Sequence, residues 1–252
     1  MEVKDWQAAL RAELESRRDA ARATKMQAYM KSKLPYYGVP GPELRKLVRG
    51  LAGGLLFPWF DSFNAFVRTV WTEATHREEK YAALTLLDMK QTRAFHTMEA
   101  VPLYEFLISD GAWWDVADEV AAHRFLPLFV TDHDAVVEVL RRWSKGSDLW
   151  LRRSAIISQV LRKKDTECAL LFELAEPALA EREFFLRKAI GWGLRSAAKH
   201  HPKKIQKYLD EKGDALSGLS RREALKGLVA ASEEKAVKKV APKKKSSRTR
   251  GV

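Results

Sequence analysis

The stretch LWLRRSAII, residues 149–157, recurs in outline along the chain and decides the fold. FFLRKAIGW begins at Phe184 and LSRREALKG begins at Leu219, each 35 residues after the segment before it. Steps of the same length in the other direction reach WDVADEVAA at Trp114 and EKYAALTLL at Glu79. A period of this length, in segments whose apolar residues recur every three or four positions, is typical of stacked helix pairs. We therefore predict an all-α fold, an α-solenoid of stacked HEAT-like helical repeats with a concave groove.

The composition indicates a folded chain with no membrane span. Its 252 residues are 46% hydrophobic and include eight tryptophans, enough for a sizeable core. No run approaches the roughly 18 apolar residues of a transmembrane helix, and the charged N-terminal stretch lacks the apolar core of a signal peptide. We therefore expect a cytoplasmic protein.

Neither a metal site nor a disulfide is expected. The single cysteine, Cys168, lies in the apolar run CALLFELA and reads as an ordinary buried helix residue. The six histidines show no metal-ligand spacing, so we predict neither a metal nor another cofactor.

The basic charge is concentrated at the C-terminus. Residues 235–252 contain eight lysines and arginines and no acid, although the whole chain has a formal net charge of +12. The rest of the chain has 37 basic residues against 33 acidic ones, a formal charge of +4. We predict a folded domain over residues 1–234 and a disordered basic tail over 235–252. Such a tail suits a polyanion such as DNA or RNA, and a purely solubilising role is the alternative.

One column of the repeat contains charged residues of both signs. Steps of 35 residues join Asp118, Arg153, Lys188 and Glu223. Equivalent positions on stacked helices project from the same side of the array, so we expect these side chains on one surface. A salt bridge between Asp118 and Arg153, or simply a solvated charged face, is the alternative reading.

Tryptophans accompany this column at helical spacing. Trp114 lies four residues before Asp118, and Trp192 lies four residues after Lys188 and three before Arg195. Residues three or four apart share one face of a helix. Each tryptophan taken alone is more often a core residue, but acid, bases and aromatics together favour a binding or catalytic groove.

Four stretches of the chain resemble the DNA alkylation repair enzymes, the HEAT-like-repeat alkylpurine DNA glycosylases of AlkD type. The resemblance runs from about Met26 to about Leu225, and LSRREALK near its end fits the C-terminal repeat of that family. The four stretches are MQAYMKSKLPYYGVPGPELRKL (26–47), AWWDVADEV (112–120), DLWLRRSAI (148–156) and FFLRKAIGWGLR (184–195). Their order and separations make the resemblance more specific than any one of them.

The resemblance implies a role for particular residues of this sequence. It assigns the catalytic acid to Asp118, with Trp114, Trp192 and Arg153 as the other members of the catalytic set. It assigns DNA binding to Tyr29, Lys188 and Arg195, with the adjacent Arg187 and Trp113. The chain departs from the family at Val39, Pro40 and Gly41, where polar residues would contact DNA.

The function implied by the resemblance is monofunctional hydrolysis of the N-glycosidic bond of cationic N3- or N7-alkylated purines. The expected partner is double-stranded DNA containing 3-methyladenine or 7-methylguanine, bound in the concave groove by a monomer associated with the nucleoid. Two alternatives stay open: a non-catalytic helical-repeat module that binds damaged or branched DNA, and a protein-binding solenoid adaptor.

Overall fold

A computed structural model describes the backbone of residues 1–240 and the side chains of residues 1–233. This part of the chain is helical throughout and contains no strand. Two compact units are formed, one by residues 1–120 with 127–136 and the other by residues 121–126 with 137 onwards. The all-α fold that the sequence predicts is confirmed.

Loops and 3-10 turns join the helices. The first helices are α1 (Val3–Ser16), α2 (Ala20–Met30), α3 (Gly41–Ala52), α4 (Phe60–Thr72), α5 (Arg77–Leu86) and α6 (Val101–Gly111). The connection from α5 to α6 contains two 3-10 segments, Lys90–Phe95 and Met98–Ala100. Residues of both units belong to α7 (Trp114–Thr131) and α8 (His133–Lys145). The second unit continues with α9 (Leu149–Ile157), α10 (Cys168–Ala175), α11 (Phe184–Ala198), α12 (Pro202–Lys212) and α13 (Gly218–Val240).

The first unit is built around the packing of α1, α3, α4 and α5. Trp6 and Leu10 of α1 and Trp71 of α4 are completely buried, and the ring of Trp6 meets Phe66 edge-on at 5.5 Å between centroids. Burying one such side chain contributes about 1.5–3 kcal/mol. This core holds α5, whose N-terminal residues contact the first turn of α7.

The second unit shows the period read from the sequence. Its central helix, α11, packs against α9, α10, α12 and α13. The starts of α7, α9 and α11 at Trp114, Leu149 and Phe184 keep the spacing of 35 residues, and α13 begins at Gly218, next to the repeat position Leu219. The stacking of repeats, as in an α-solenoid, is therefore confirmed.

Side-chain caps fix where two of these helices begin. The carboxylate of Asp148 accepts hydrogen bonds from the N–H groups of Trp150 (2.7 Å) and Leu151 (3.0 Å) at the start of α9. Glu183 accepts one from the N–H of Phe185 (3.2 Å) at the start of α11. Caps of this kind satisfy N–H groups that have no partner within the helix and stabilise a helix by about 1 kcal/mol.

The last helix reaches beyond the boundary that the charge distribution suggests. α13 continues to Val240, so the first part of the segment that we assigned to the tail is helical. The remainder of the predicted tail, residues 241–252, lies outside the described residues.

The properties expected of Cys168 are confirmed: it is buried, and burial raises the pKa of its thiol. Among residues 1–240, no helix is both long and apolar enough to cross a membrane. The same residues contain no group of three or more His, Cys, Asp and Glu side chains arranged to hold a metal ion.

Candidate functional site

A sharp connection between α6 and α7 positions the first turn of α7. Ala112 ends α6 in the left-handed conformation, with φ of 39°. At Gly111, a Cβ atom would lie 2.8 Å from Cγ1 of Val116, so only glycine allows the two helices to approach this closely. Only Ala112 and Trp113 therefore separate the end of α6 from Trp114, the first residue of α7.

The N-terminal part of α7 carries the predicted acid Asp118 and the aromatic residue Trp114, which contacts Tyr29. Trp114 and Asp118 are four residues apart on α7 and are both half-buried. The ring of Tyr29, which is 75% exposed, stands almost perpendicular to Trp114 at 6.5 Å between centroids. Trp113 and Trp114 also pack against the small cluster of Ala23, Met30 and Tyr36. An exposed aromatic edge thus lies one helical turn from a carboxylate.

Asp115, between these residues, is the centre of a buried polar network. Its carboxylate accepts hydrogen bonds from Arg77 (2.7 and 3.0 Å) and from the hydroxyl of Tyr81 (2.6 Å). The Tyr81 hydroxyl lies 2.9 Å from that of Tyr36, and Oδ1 of Asp115 also accepts from the N–H of Val116. These bonds tie α5 and the loop before α3 to the first turn of α7. The sequence spacing does not predict these hydrogen bonds; it shows only that an acid lies in the first turn of α7.

Burial dominates the electrostatics of this network. Burial raises the pKa of Tyr36 to about 12, and burial together with the charge of Asp115 raises the pKa of Tyr81. Both phenols are therefore neutral at physiological pH and act as fixed hydrogen-bond donors rather than as bases.

Of the three residues at which the sequence departs from the family it resembles, Val39 lies in the core, and Pro40 and Gly41 are partly exposed. Val39 is 1% exposed, and the N–H groups of Tyr37, Gly38 and Val39 all donate to the buried carboxylate of Glu78 at 2.8–3.2 Å. Burial raises the pKa of Glu78, and the three hydrogen bonds oppose that rise. Glu78 thus fixes the loop that leads into α3.

In the second unit, three basic side chains surround one buried carboxylate, and two of them were predicted to bind DNA. Glu223 accepts hydrogen bonds from Lys226 (2.8 Å), Lys188 (3.0 Å) and Arg195. The bond from Lys226 lowers the pKa of Glu223 to about 2, against the effect of burial and with further help from Lys188 and Arg195. Three cations against one anion leave two net positive charges on side chains that are 34–63% exposed. The direct contact of Lys188 with Glu223 shows that these two members of the repeat column meet.

Two predicted site arginines, Arg153 of the catalytic set and Arg187 of the DNA-binding set, contact the protein's own backbone. Arg153 is only 4% exposed and donates to the carbonyl oxygen of Phe185 at 2.7 Å, with its guanidinium 5.9 Å from the centre of that ring. Arg187 donates to the carbonyl oxygen of Glu181 at 2.8 Å. Trp192 is half-buried against the core of the second unit, so it has both a packing face and an accessible face.

The structure therefore assembles the predicted residues in two sets. Tyr29, Trp113, Trp114 and Asp118 lie together in the first unit. Lys188 and Arg195 meet in the second unit, where Arg153, Arg187 and Trp192 also lie. That these two sets face one groove remains a prediction.

Comparison with known families identifies the chain. The model of the family described as DNA alkylation repair enzyme matches residues 10–228. The chain belongs to this family. The match covers every residue of both sets.

A solved structure is similar to this member of the DNA alkylation repair enzyme family. It is described as a predicted DNA alkylation repair enzyme from Enterococcus faecalis, and it is 26% identical in sequence with a TM-score of 0.74. The similarity covers 83% of this chain and 95% of the other. No match was found among proteins with curated descriptions.

Proposed function

We propose that the protein is a monofunctional DNA glycosylase that hydrolyses the N-glycosidic bond of cationic N3- or N7-alkylated purines in duplex DNA. Family membership supports a role in the repair of DNA alkylation. The observation that carries the finer proposal is the arrangement on α7, where Asp118 stands one turn from Trp114 and Trp114 meets the exposed Tyr29.

The chemistry of the substrate explains why one carboxylate is sufficient. Most glycoside hydrolases need a second carboxyl group to protonate the leaving group. An N7- or N3-alkylated purine already carries a positive charge. It leaves as a neutral base when the C1′–N bond breaks and takes the bonding electron pair with it. Positive charge then develops on the deoxyribose until water adds to C1′ and loses a proton.

Asp118 is suited to this step as an ionised carboxylate. A negative charge fixed beside the sugar stabilises the oxocarbenium-like transition state more than the ground state, and the same group can orient the attacking water. Trp114 and Tyr29 suit the cationic purine, since a cation over an aromatic face gains about 0.5–2 kcal/mol. Trp192 would supply a further aromatic face from the second unit.

The basic residues divide into two roles. Together with Lys226, the predicted residues Lys188 and Arg195 keep two net positive charges beside Glu223 and remain partly exposed, so they are suited to hold DNA phosphates. Arg153 and Arg187 are engaged by backbone carbonyls, so we assign them a structural or orienting role rather than a grip on the duplex.

Selectivity for charged lesions tests this mechanism. We expect base release from a duplex that contains one 7-methylguanine and at least about 100-fold slower release from a matched duplex that contains hypoxanthine, a neutral leaving base. Single-turnover assays with excess protein, in which abasic sites are cleaved by alkali, give both rate constants. Equal rates on the two duplexes would mean that the protein itself protonates the leaving base, contrary to the proposal.

The remaining parts of the proposal follow from this activity. The partner is alkylated duplex DNA, bound by a monomer in a groove along the repeats, in the cytoplasm and at the nucleoid. Tight binding to methylated DNA without base release would instead favour a non-catalytic module that recognises damaged DNA.

A further inference from the structure

A basic cavity lies beside the aromatic residues of the first unit. It has a volume of about 430 Å³ and lies between the end of α2, the start of α5 and the end of α6. Its wall includes four cationic side chains, one acid and an indole: Lys31, Lys33, Arg77, Lys80, Asp110 and Trp113. The proposed mechanism gives this cavity no role.

Two of the four cations are neutralised by the protein. Arg77 pairs with Asp115, as described above, and Nζ of Lys80 lies 2.8 Å from Oδ2 of Asp110. Lys80 lowers the pKa of Asp110 against the effect of burial, so that acid is ionised and its charge is committed to Lys80. These two pairs form a rigid and nearly neutral wall.

The other two cations have no acidic partner in the described part of the chain. Lys31 and Lys33 are both exposed, and no carboxylate oxygen among residues 1–233 lies within 4.0 Å of either ammonium group. Two positive charges without a counter-ion therefore face a cavity in which the other charged side chains already neutralise one another. An arrangement of this kind attracts an anion.

The backbone around the cavity is held in unusual conformations. Three non-glycine residues of the described chain have positive φ, and two of them, Lys31 (50°) and Ala112 (39°), lie in the wall of this cavity. Each of these residues ends a helix, Lys31 after α2 and Ala112 after α6, and the left-handed conformation is a common way for a helix to end. The two turns shape the cavity wall.

The start of α7 adds to the positive potential. Trp113, in the cavity wall, is the N-cap residue of α7, and its side chain makes no capping hydrogen bond. α7 has 18 residues, and the N-terminus of a helix carries a partial positive charge that favours phosphate.

We propose that this cavity binds a phosphodiester group of the DNA strand, with Lys31 and Lys33 as its cationic ligands. The volume leaves room for a deoxyribose beside the phosphate, and Trp113 offers it an apolar surface. Trp113 lies in the cavity wall and the next residue, Trp114, meets Tyr29, so the cavity would hold the backbone of the strand beside the lesion. The assignment of DNA as the source of the phosphate rests on the proposed function.

The test compares two double variants of the full chain with equal changes of charge. Lys31→Gln/Lys33→Gln removes the two cavity charges and keeps most of each side-chain stem. Lys203→Gln/Lys204→Gln removes two exposed lysines of α12, neither of which lies in the wall of this cavity. Fluorescence anisotropy measures the affinity for an undamaged duplex over a series of salt concentrations.

We expect the cavity variant to bind at least about tenfold more weakly at low salt than the wild type. Its slope of log K against log salt should be smaller by about 1, since each neutralised phosphate contributes about 0.9. The α12 variant should keep the wild-type slope. Wild-type affinity and slope in the cavity variant would overturn the DNA assignment.

A second arm identifies the source of the phosphate. Inorganic phosphate should slow the chemical acetylation of Lys31 and Lys33, measured by mass spectrometry, relative to Lys203 and Lys204. If phosphate protects Lys31 and Lys33 but the cavity variant keeps its DNA affinity, the cavity binds a free phosphate group. If phosphate gives no protection and the DNA affinity is also unchanged, the site is refuted altogether. Because the duplex is undamaged, this test is independent of base release, so the phosphate site and the glycosylase can fail separately.

Discussion

Asp118→Asn is expected to lower the single-turnover rate of 7-methylguanine release by about 10²- to 10³-fold while the affinity for duplex DNA changes by less than about threefold. The substitution keeps the shape of the side chain and removes its negative charge. Loss of one preorganised electrostatic contact at a transition state typically costs about 2.7–4 kcal/mol of barrier. Because DNA is a polyanion, removing an acid does not weaken the grip on its backbone.

Glu119→Gln provides the matched control. It makes the same change of charge one residue later on α7, where Glu119 lies in the wall of a separate cavity of about 250 Å³ with Tyr81 and Asp115. Its base-release rate should stay within about threefold of the wild type. A similar fall in both variants would mean that the net charge of α7 matters rather than Asp118, and an unchanged rate in Asp118→Asn would remove Asp118 from the mechanism.

Asp115→Ala is expected to lower the free energy of unfolding by about 3–5 kcal/mol. The side chain of Arg77 is 9% exposed, and removing Asp115 leaves its guanidinium buried without a counter-ion and the hydroxyl of Tyr81 without its acceptor. Breaking one side of a buried, hydrogen-bonded pair has a cost of about this size. Urea denaturation followed by circular dichroism gives the difference between variant and wild type.

A surface pair provides the comparison for this experiment. Asp88 and Arg49 are 3.1 Å apart, and both side chains are about half exposed. Asp88→Ala should cost less than about 1 kcal/mol, as exposed ion pairs usually do. If Asp115→Ala is no more destabilising than Asp88→Ala, the network does not hold the first turn of α7.

The sequence predicts those parts of the fold that depend on local periodicity. The starts of α9 and α11 follow from a repeat of 35 residues. The contact of Lys188 with Glu223 follows from the same period, since equivalent positions on adjacent helices are neighbours. Each of these features needs only helical spacing and the stacking of similar units.

The contacts that support the candidate site could not be predicted in the same way. Asp115, Tyr81 and Tyr36 lie in different elements and meet through side chains that no spacing rule connects. The burial of Arg153 could not be predicted either, because the guanidinium of an arginine in an amphipathic helix can be solvated or buried. The family resemblance assigned roles to single residues, whereas the packing decides which of them can reach a ligand.

The most direct test of the proposed activity is the release of free bases from duplex DNA treated with dimethyl sulfate. The wild-type protein is incubated with this DNA, and mass spectrometry quantifies 7-methylguanine and 3-methyladenine in the soluble fraction against DNA incubated alone. We expect both bases to appear well above the spontaneous level, with one abasic site for each base released and no strand breakage before alkali. Binding of the methylated DNA with only spontaneous base loss would contradict the proposal and leave the protein as a module that recognises damage without excising it.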